Sequence, residues 1–269
     1  MKTLRLKDDK NGITAAAEIL KNGGIVAIPT ETVYGLAASA YSDEAILNVF
    51  AAKGRPQDNP LIVHIDSAEM LGEVTADIPD EAKVLAAAFW PGPLTMVLKK
   101  SDSIADSVSR GLDTVAVRMP ENEVAREIIK TSGLPLAAPS ANLSGSPSPT
   151  SADHVMTDLD GRIDAVVISS DSAVGVESTV VTLVTDPPRL LRPGAVTAEE
   201  LREYFPNLVI DKAVLAEPEK GEQVASPGMK YKHYSPKGFA AGSLALTAAF
   251  PGRYIPTPSF PTRIGSTLM

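Results

Sequence analysis

Ile25-Val26-Ala27-Ile28-Pro29-Thr30-Glu31-Thr32-Val33-Tyr34-Gly35-Leu36 decides how this chain is read. The apolar run from Ile25 to Ile28 makes a short buried strand. Proline stops it, and a polar loop with two hydroxyls and a carboxylate follows. Upstream, Ile13, Ala16, Ala17 and Leu20 fall at helical spacing, and Gly23-Gly24 closes that helix. A helix feeding an apolar strand is an α/β pattern. In open α/β sheets ligands gather at strand ends. Thr30, Glu31 and Thr32 are therefore candidates for a site, although strand-end turn chemistry accounts for the same residues.

Working outward, the alternation continues. Ser42 caps a helix with Ile46, Val49 and Phe50 on one face. Leu61 to Ile65 reads as a strand, and Asp80 to Phe89 as a helix stopped at Trp90-Pro91-Gly92-Pro93. Leu94 to Leu98 and Thr114 to Arg118 are strands, Glu121 to Thr131 a helix, and Pro135 to Ala138 a short strand. A polar loop fills Pro139 to Thr150, and Ser151 opens another helix. Ile163 to Ile168, Ser178 to Val184 and Arg189 to Arg192 are strands. Thr197 and Glu200 form a capping-box pattern for a helix to Tyr204. Strands and helices alternate too irregularly for a simple doubly wound sheet, so the expected fold is α/β with a mixed sheet.

Composition bounds the function. The 269 residues carry a net charge of −8, which excludes a general nucleic-acid coat but not a local basic pocket. There is no cysteine, so disulfides, thiolate metal sites and cysteine nucleophiles are excluded. The charged start, Met1 to Asn11, lacks the apolar core of a signal peptide, and Phe239 to Phe250 is too short to span a bilayer. The expected setting is the cytoplasm. Glu222 is the last acidic residue of 33 Asp and Glu, which marks a composition shift. Asp211 to Val224 reads as linker, and the chain after Pro236 lacks clear periodicity.

The common nucleotide loops and hydrolase motifs are absent. Chemistry must therefore come from scattered groups. Lys53-Gly54-Arg55-Pro56-Gln57-Asp58-Asn59-Pro60 places two cations astride a glycine, suited to a triphosphate; the same charges also suit an ordinary helix C-terminus. His64 lies in an apolar strand, where it is either a core residue or a ligand contact. In the strand Thr114-Val115-Ala116-Val117-Arg118, Thr114, Ala116 and Arg118 share a face, and Arg118 is either a carboxylate clamp or an edge salt bridge. Ala138-Pro139-Ser140-Ala141-Asn142-Leu143-Ser144-Gly145 offers small polar groups on a stiff loop, as do Gly175-Val176-Glu177-Ser178-Thr179-Val180 and Arg192-Pro193-Gly194.

In this order and spelling the seven blocks, from PTETVYGL through KGRPQDNPLIVH, WPGPLT, TVAVRMP, APSANLSG and GVESTV to RPG, resemble the YrdC-like threonylcarbamoyl-AMP synthases. Ser226 to Pro236 resembles the linker of the long, two-domain members. The resemblance implies a twisted mixed parallel/antiparallel sheet with flanking helices around a concave basin. It implies a nucleotidyltransferase that joins ATP, L-threonine and bicarbonate into threonylcarbamoyl-AMP and pyrophosphate. Mg²⁺ would arrive with ATP, and the product would pass to a tRNA threonylcarbamoyl transferase acting on adenosine-37. By the same resemblance Lys53 and Arg55 are catalytic. Thr32, His64, Arg118, Ala138, Asn142 and Ser178 line the threonine site. Arg55, Asn59, Thr114, Ser140, Ser148, Arg192 and Tyr234 hold ATP. No protein side chain is assigned as a metal ligand. The expected domains are a catalytic domain over 1–206, a linker over 207–236 folding back toward the site, and a shortened, poorly ordered remnant over 237–269. Two other readings stay open at this stage: an RNA-binding module using the basic hollow, and a transferase consuming carbamoyl phosphate.

Overall fold

The computed structural model describes residues 2–54, 56 and 59–215. These belong to the first of two units into which the chain divides, 1–235 and 236–269. In chain order the elements are β1 (Leu4–Lys7), α1 (Lys10–Lys21), β2 (Val26–Ile28), β3 (Gly35–Ser39), α2 (Asp43–Lys53), β4 (Ile62–His64), α3 (Ala68–Val74), α4 (Asp80–Phe89) and β5 (Leu94–Lys99). There follow α5 (Asp106–Ser109), β6 (Thr114–Arg118), α6 (Glu123–Ser132), β7 (Leu136–Ala137), α7 (Ala152–Leu159), β8 (Ala165–Ile168), β9 (Thr179–Thr182), β10 (Arg189–Arg192), α8 (Ala198–Tyr204), β11 (Val209–Ile210) and α9 (Lys212–Leu215).

The strands form one sheet in the order β1-β8-β2-β3-β7-β4-β6-β5-β9-β10-β11. Parallel contacts (β1/β8, β2/β8, β4/β6, β5/β9, β10/β11) alternate with antiparallel ones (β2/β3, β3/β7, β4/β7, β5/β6, β9/β10). The mixed α/β sheet expected from the irregular alternation is the one observed. Caps explain the helix starts: Ser42 accepts from the Ala45 amide, Ser151 from His154, and Thr197 and Glu200 close a complete capping box.

Two stretches differ from their sequence reading. Gly35 and Leu36, read as the end of the polar loop, open a fully buried strand, Gly35–Ser39, that the sequence reading did not assign. Its small side chains carry little β-propensity, and tertiary packing decides the matter. A Cβ on Gly35 would lie 3.2 Å from the Ala138 Cβ, a tight contact that favours a small residue there. Residues 207–215, expected to be linker, add β11 to the sheet edge, and Leu208 is buried in the core. The rest of the expected linker, the tail over 237–269, Arg55 and Tyr234 lie outside the described residues.

What positions the site is the two-residue alternation of the central strands. Val63, Met96, Leu98, Val115, Val117 and Val181 face the main core, packed with the helices. Ile62, Val97, Ala116, Val180 and Leu191 form a separate small cluster. Along β4 and β6 that second face ends in two polar residues, His64 and Arg118, which pair in register.

Candidate functional site

The polar ends of these strands meet the loops at 29–35, 138–140 and 177–178 in a pocket of about 560 Å³, including space open to solvent. Its wall includes Thr30, Thr32, His64, Arg118, Ala138, Ser140, Glu177, Ser178 and Arg192. Backbone hydrogen bonds stitch the loops together: Tyr34 N to Pro149 O (2.8 Å), Ala141 N to Tyr34 O (2.8 Å), Ser172 N to Thr150 O (2.8 Å) and Gly175 N to Thr32 O (3.0 Å). Close backbone approach fixes the last wall. A Cβ on Gly194 would sit 2.5 Å from the Thr179 nitrogen, so the turn after Arg192 needs glycine.

Arg118 is the central cation, 3% exposed. Its Nε donates to Gly92 O (3.2 Å), Nη1 to Thr32 Oγ1 (2.8 Å) and Nη2 to Glu31 Oε1 (2.5 Å). The Thr30 hydroxyl donates to Val33 O at 2.6 Å, so the contact of 2.9 Å between the two threonine oxygens has Thr32 as donor. Thr32 thus donates to Thr30 while accepting from Arg118, a polarised chain that holds the guanidinium plane. A guanidinium has five N–H groups; with three engaged here, one hydrogen on each terminal nitrogen is left for a ligand.

The charge states follow from burial and neighbours. Burial pulls Glu31 upward, but the Arg118 charge and hydrogen bond outweigh it and hold the carboxyl below its usual range, with help from the backbone of Glu121 and of Glu31 itself. Burial, then the Arg118 charge, pushes His64 down to about 3, so the ring is neutral at pH 7. Ser178 is fixed by Thr95, 2.7 Å between hydroxyl oxygens, and by Arg192, whose Nε and Nη2 donate to Ser178 O at 3.0 and 2.9 Å.

Some buried polar groups lack partners. Glu31 Oε2, both amide atoms of Asn59, His64 Nδ1 and Asn142 Oδ1 are buried without a hydrogen bond; among the described residues only Ser107 Oγ and Arg110 Nε share that condition. Buried polar atoms are normally satisfied, and of these residues His64 lies on the pocket wall, where a ligand can complete its bonding.

The pocket wall brings together Thr32, His64, Arg118, Ala138, Ser140, Ser178 and Arg192 of the expected set. Others lie off the wall. Asn59 is fully buried. Asn142 stiffens its own loop by donating to Leu143 O and Ser146 O, both 2.7 Å. Ser148 donates to the wall residue Glu177 at 2.6 Å. Thr114 shares the Arg118 face but begins β6, about 13 Å away along the strand. Lys53 is buried, and its ammonium donates to Ser140 O and to Asn142 O (2.7 Å for the latter), tying the end of α2 to the loop after β7. Glu177 and Thr95 were not among the expected site residues; Glu31 was a candidate from its loop, but no role was assigned to it. A carboxylate between two wall threonines was the available signal for Glu31.

Comparison with known proteins identifies the family. The Sua5/YciO/YrdC profile, described as telomere recombination, matches residues 18–194. The chain belongs to that family. A second profile, the threonylcarbamoyl-AMP synthase C-terminal domain, matches residues 196–240. Family relatives named threonylcarbamoyl-AMP synthase include one from Pyrococcus abyssi, 50% identical over 224 residues (83% of this chain, 65% of the relative), and one from Bacillus subtilis, 49% identical over 225 residues (83% and 64%). The chain therefore spans about two thirds of the length of these curated relatives. Among solved structures of the family, P. abyssi Sua5 complexed with L-threonine superposes with a TM-score of 0.83 at 47% identity, covering 88% of this chain and 69% of the other.

Proposed function

We propose that this chain is an L-threonylcarbamoyladenylate synthase, a nucleotidyltransferase that makes threonylcarbamoyl-AMP and pyrophosphate from ATP, L-threonine and bicarbonate. The observation that carries the reading is Arg118, held by three hydrogen bonds with an N–H left on each terminal nitrogen, beside Thr32, neutral His64 and Ser178 in one pocket. The relative complexed with L-threonine supports it. The substrate's carboxylate meets the two open N–H groups of Arg118, and its hydroxyl has Thr32, His64 and Ser178 to pair with. Ala138 and Asn142 complete that side.

The chemistry then asks for positioning and charge neutralisation. The neutral amine takes up bicarbonate, giving a carbamate and water. A carbamate oxygen attacks the α-phosphorus of ATP, and pyrophosphate leaves. Such transfers gain most from oriented reactants and fixed positive charge. Arg192, Ser140 and, by motif, Arg55, Asn59, Thr114, Ser148 and Tyr234 serve the nucleotide. Lys53 fits a positioning role, since it grips the carbonyls on either side of Ala141 and so sets the Ser140 hydroxyl. Mg²⁺ bound through phosphates needs one or two carboxylates, and Glu177 on the wall provides one. When bound, the ion would screen the triphosphate charge.

The setting proposed is the cytoplasm, with the product handed to a tRNA threonylcarbamoyl transferase for adenosine-37. No helix among the described residues is long and apolar enough to cross a membrane. The test is pyrophosphate release with ATP, L-threonine and bicarbonate, each omitted in turn. Release that persists without L-threonine, or its absence with all three present, would overturn the proposal.

A further inference from the structure

We infer that Glu31 is a positioning residue that cancels the Arg118 charge, so that the pocket selects a zwitterionic α-amino acid over a carboxylic acid lacking the amine. This rests on the amino-acid site proposed above and adds what sets its preference.

Glu31 stands between two wall residues, Thr30 and Thr32, yet does not line the pocket itself. Its side chain is 8% exposed, and its carboxylate reaches Arg118 at 2.5 Å. Its second oxygen is buried with no hydrogen bond. Arg118 already has a neutral acceptor on Nε and another on Nη1, so its orientation does not depend on Glu31 alone. What Glu31 supplies that neither of those supplies is negative charge.

That charge changes what the pocket attracts. A bare guanidinium in a water-poor pocket draws any carboxylate, because the field is poorly screened. With Glu31 ionised the pair is neutral overall. A ligand carboxylate on the two remaining N–H groups then shares one cation with Glu31 and is repelled by it. A ligand with its own ammonium offsets that repulsion, and the wall supplies oxygens for it on Ser140, Glu177 and Ser178. A simple acid cannot do this. Ionisation of Glu31 is favoured by Arg118, as described above. His64 beside the pair is neutral, and the two other charged groups on the wall, Arg192 and Glu177, are of opposite sign.

The test compares L-threonine with 3-hydroxybutyrate, which keeps the carboxylate, the hydroxyl and the methyl group but lacks the amine, by calorimetry at fixed salt. Wild type should bind L-threonine at least about tenfold more tightly, one such factor being about 1.4 kcal/mol. In Glu31→Gln the amide can turn its carbonyl to Arg118, keeping the hydrogen bond and removing the charge; the preference should shrink about tenfold, mainly through tighter 3-hydroxybutyrate binding. Glu31→Asp, which keeps the charge, should hold the wild-type preference. A purely structural ion pair would change both affinities together and leave their ratio alone, and that result in a folded Glu31→Gln protein overturns the inference. If Glu31→Gln does not fold, the wild-type arm decides: equal binding of the two ligands sinks the idea, and discrimination retained by Glu31→Asp supports it. Wild type that binds no L-threonine overturns the proposed function, a distinct outcome that removes the basis of this inference too.

Discussion

β4 and β6 each carry two chemistries one residue apart. Val63 and Val117 are fully buried in the main core, among apolar neighbours. His64 and Arg118 are almost as buried, but on the other face, where Glu31 Oε2 and His64 Nδ1 have no hydrogen bond. The core side is satisfied by packing alone. The pocket side is held by charge and oriented hydrogen bonds, and its residual polarity is stored for a ligand. The same strands thus separate stability from function by parity, and a one-residue register shift would exchange the two.

The sharpest way to break that contrast is Arg118→Gln. Removing the cation leaves Glu31 buried and unpaired, a loss of about 3–5 kcal/mol for breaking such a pair. Urea unfolding should show it, and calorimetry should show L-threonine binding abolished. Adding Glu31→Gln to Arg118→Gln should recover part of the stability, since the orphaned charge is gone, while binding stays lost. If the double variant is destabilised by the full sum of the two single changes, the two residues are not acting as a pair.

Next in size is an acid effect from His64. Its folded-state pKa of about 3 lies below the unfolded value of 6.5, so the unfolded chain binds the extra proton. Its contribution to stability is complete above pH 6.5 and is lost as pH falls toward 3. The slope is about 1.4 kcal/mol per pH unit. The window from 6.5 to 4.5 isolates it, because 4.5 is the ordinary value for Glu31, whose lowered pKa makes its own contribution fade only further into acid. Denaturant unfolding across that window should be flatter in His64→Gln than in wild type. Parallel curves would mean that His64 is charged, or wet, in the folded protein.

On the core side, Val63→Ala should cost about 1–2 kcal/mol from lost apolar burial. L-threonine affinity should stay within about twofold. A large loss of affinity would show that packing behind the strand tunes the pocket, and the separation by parity would fail.

How far the sequence carries this architecture differs by region. Helix starts are local events, so Ser42, Ser151 and Thr197 announced them, and the strand ending at Arg118 was legible from its alternation. The face shared by Thr114, Ala116 and Arg118 is as the pattern required. β3 was not legible, because Gly35, Ala37 and Ala38 fit a strand only when neighbours close over them. Lys53 read as a cation facing phosphate. Its acceptors are carbonyls 87 and 89 residues away, which no local pattern encodes. Glu31 was visible as a carboxylate in a polar loop, but its turn away from the wall toward Arg118 depends on a contact 87 residues distant. Catalytic spelling was readable as a resemblance; the pairing of charges was readable only from the fold.

The smallest effect should come from Thr197→Ala, at the start of α8. The Thr197 hydroxyl accepts from Glu200 N at 3.2 Å, and Glu200 Oε2 accepts from Thr197 N at 2.7 Å. Alanine removes one half of this reciprocal cap, a loss of about 1 kcal/mol. The cap lies only five residues beyond Arg192 on the pocket wall, yet its partners are local and exposed. Thermal unfolding should therefore register the change while L-threonine and ATP affinities stay at wild-type values. Were either affinity to fall with the cap, the Arg192 wall would owe its position to α8 rather than to the Ser178 carbonyl and the close approach at Gly194, and the division between a locally built scaffold and a charge-built pocket would need redrawing at that edge of the sheet.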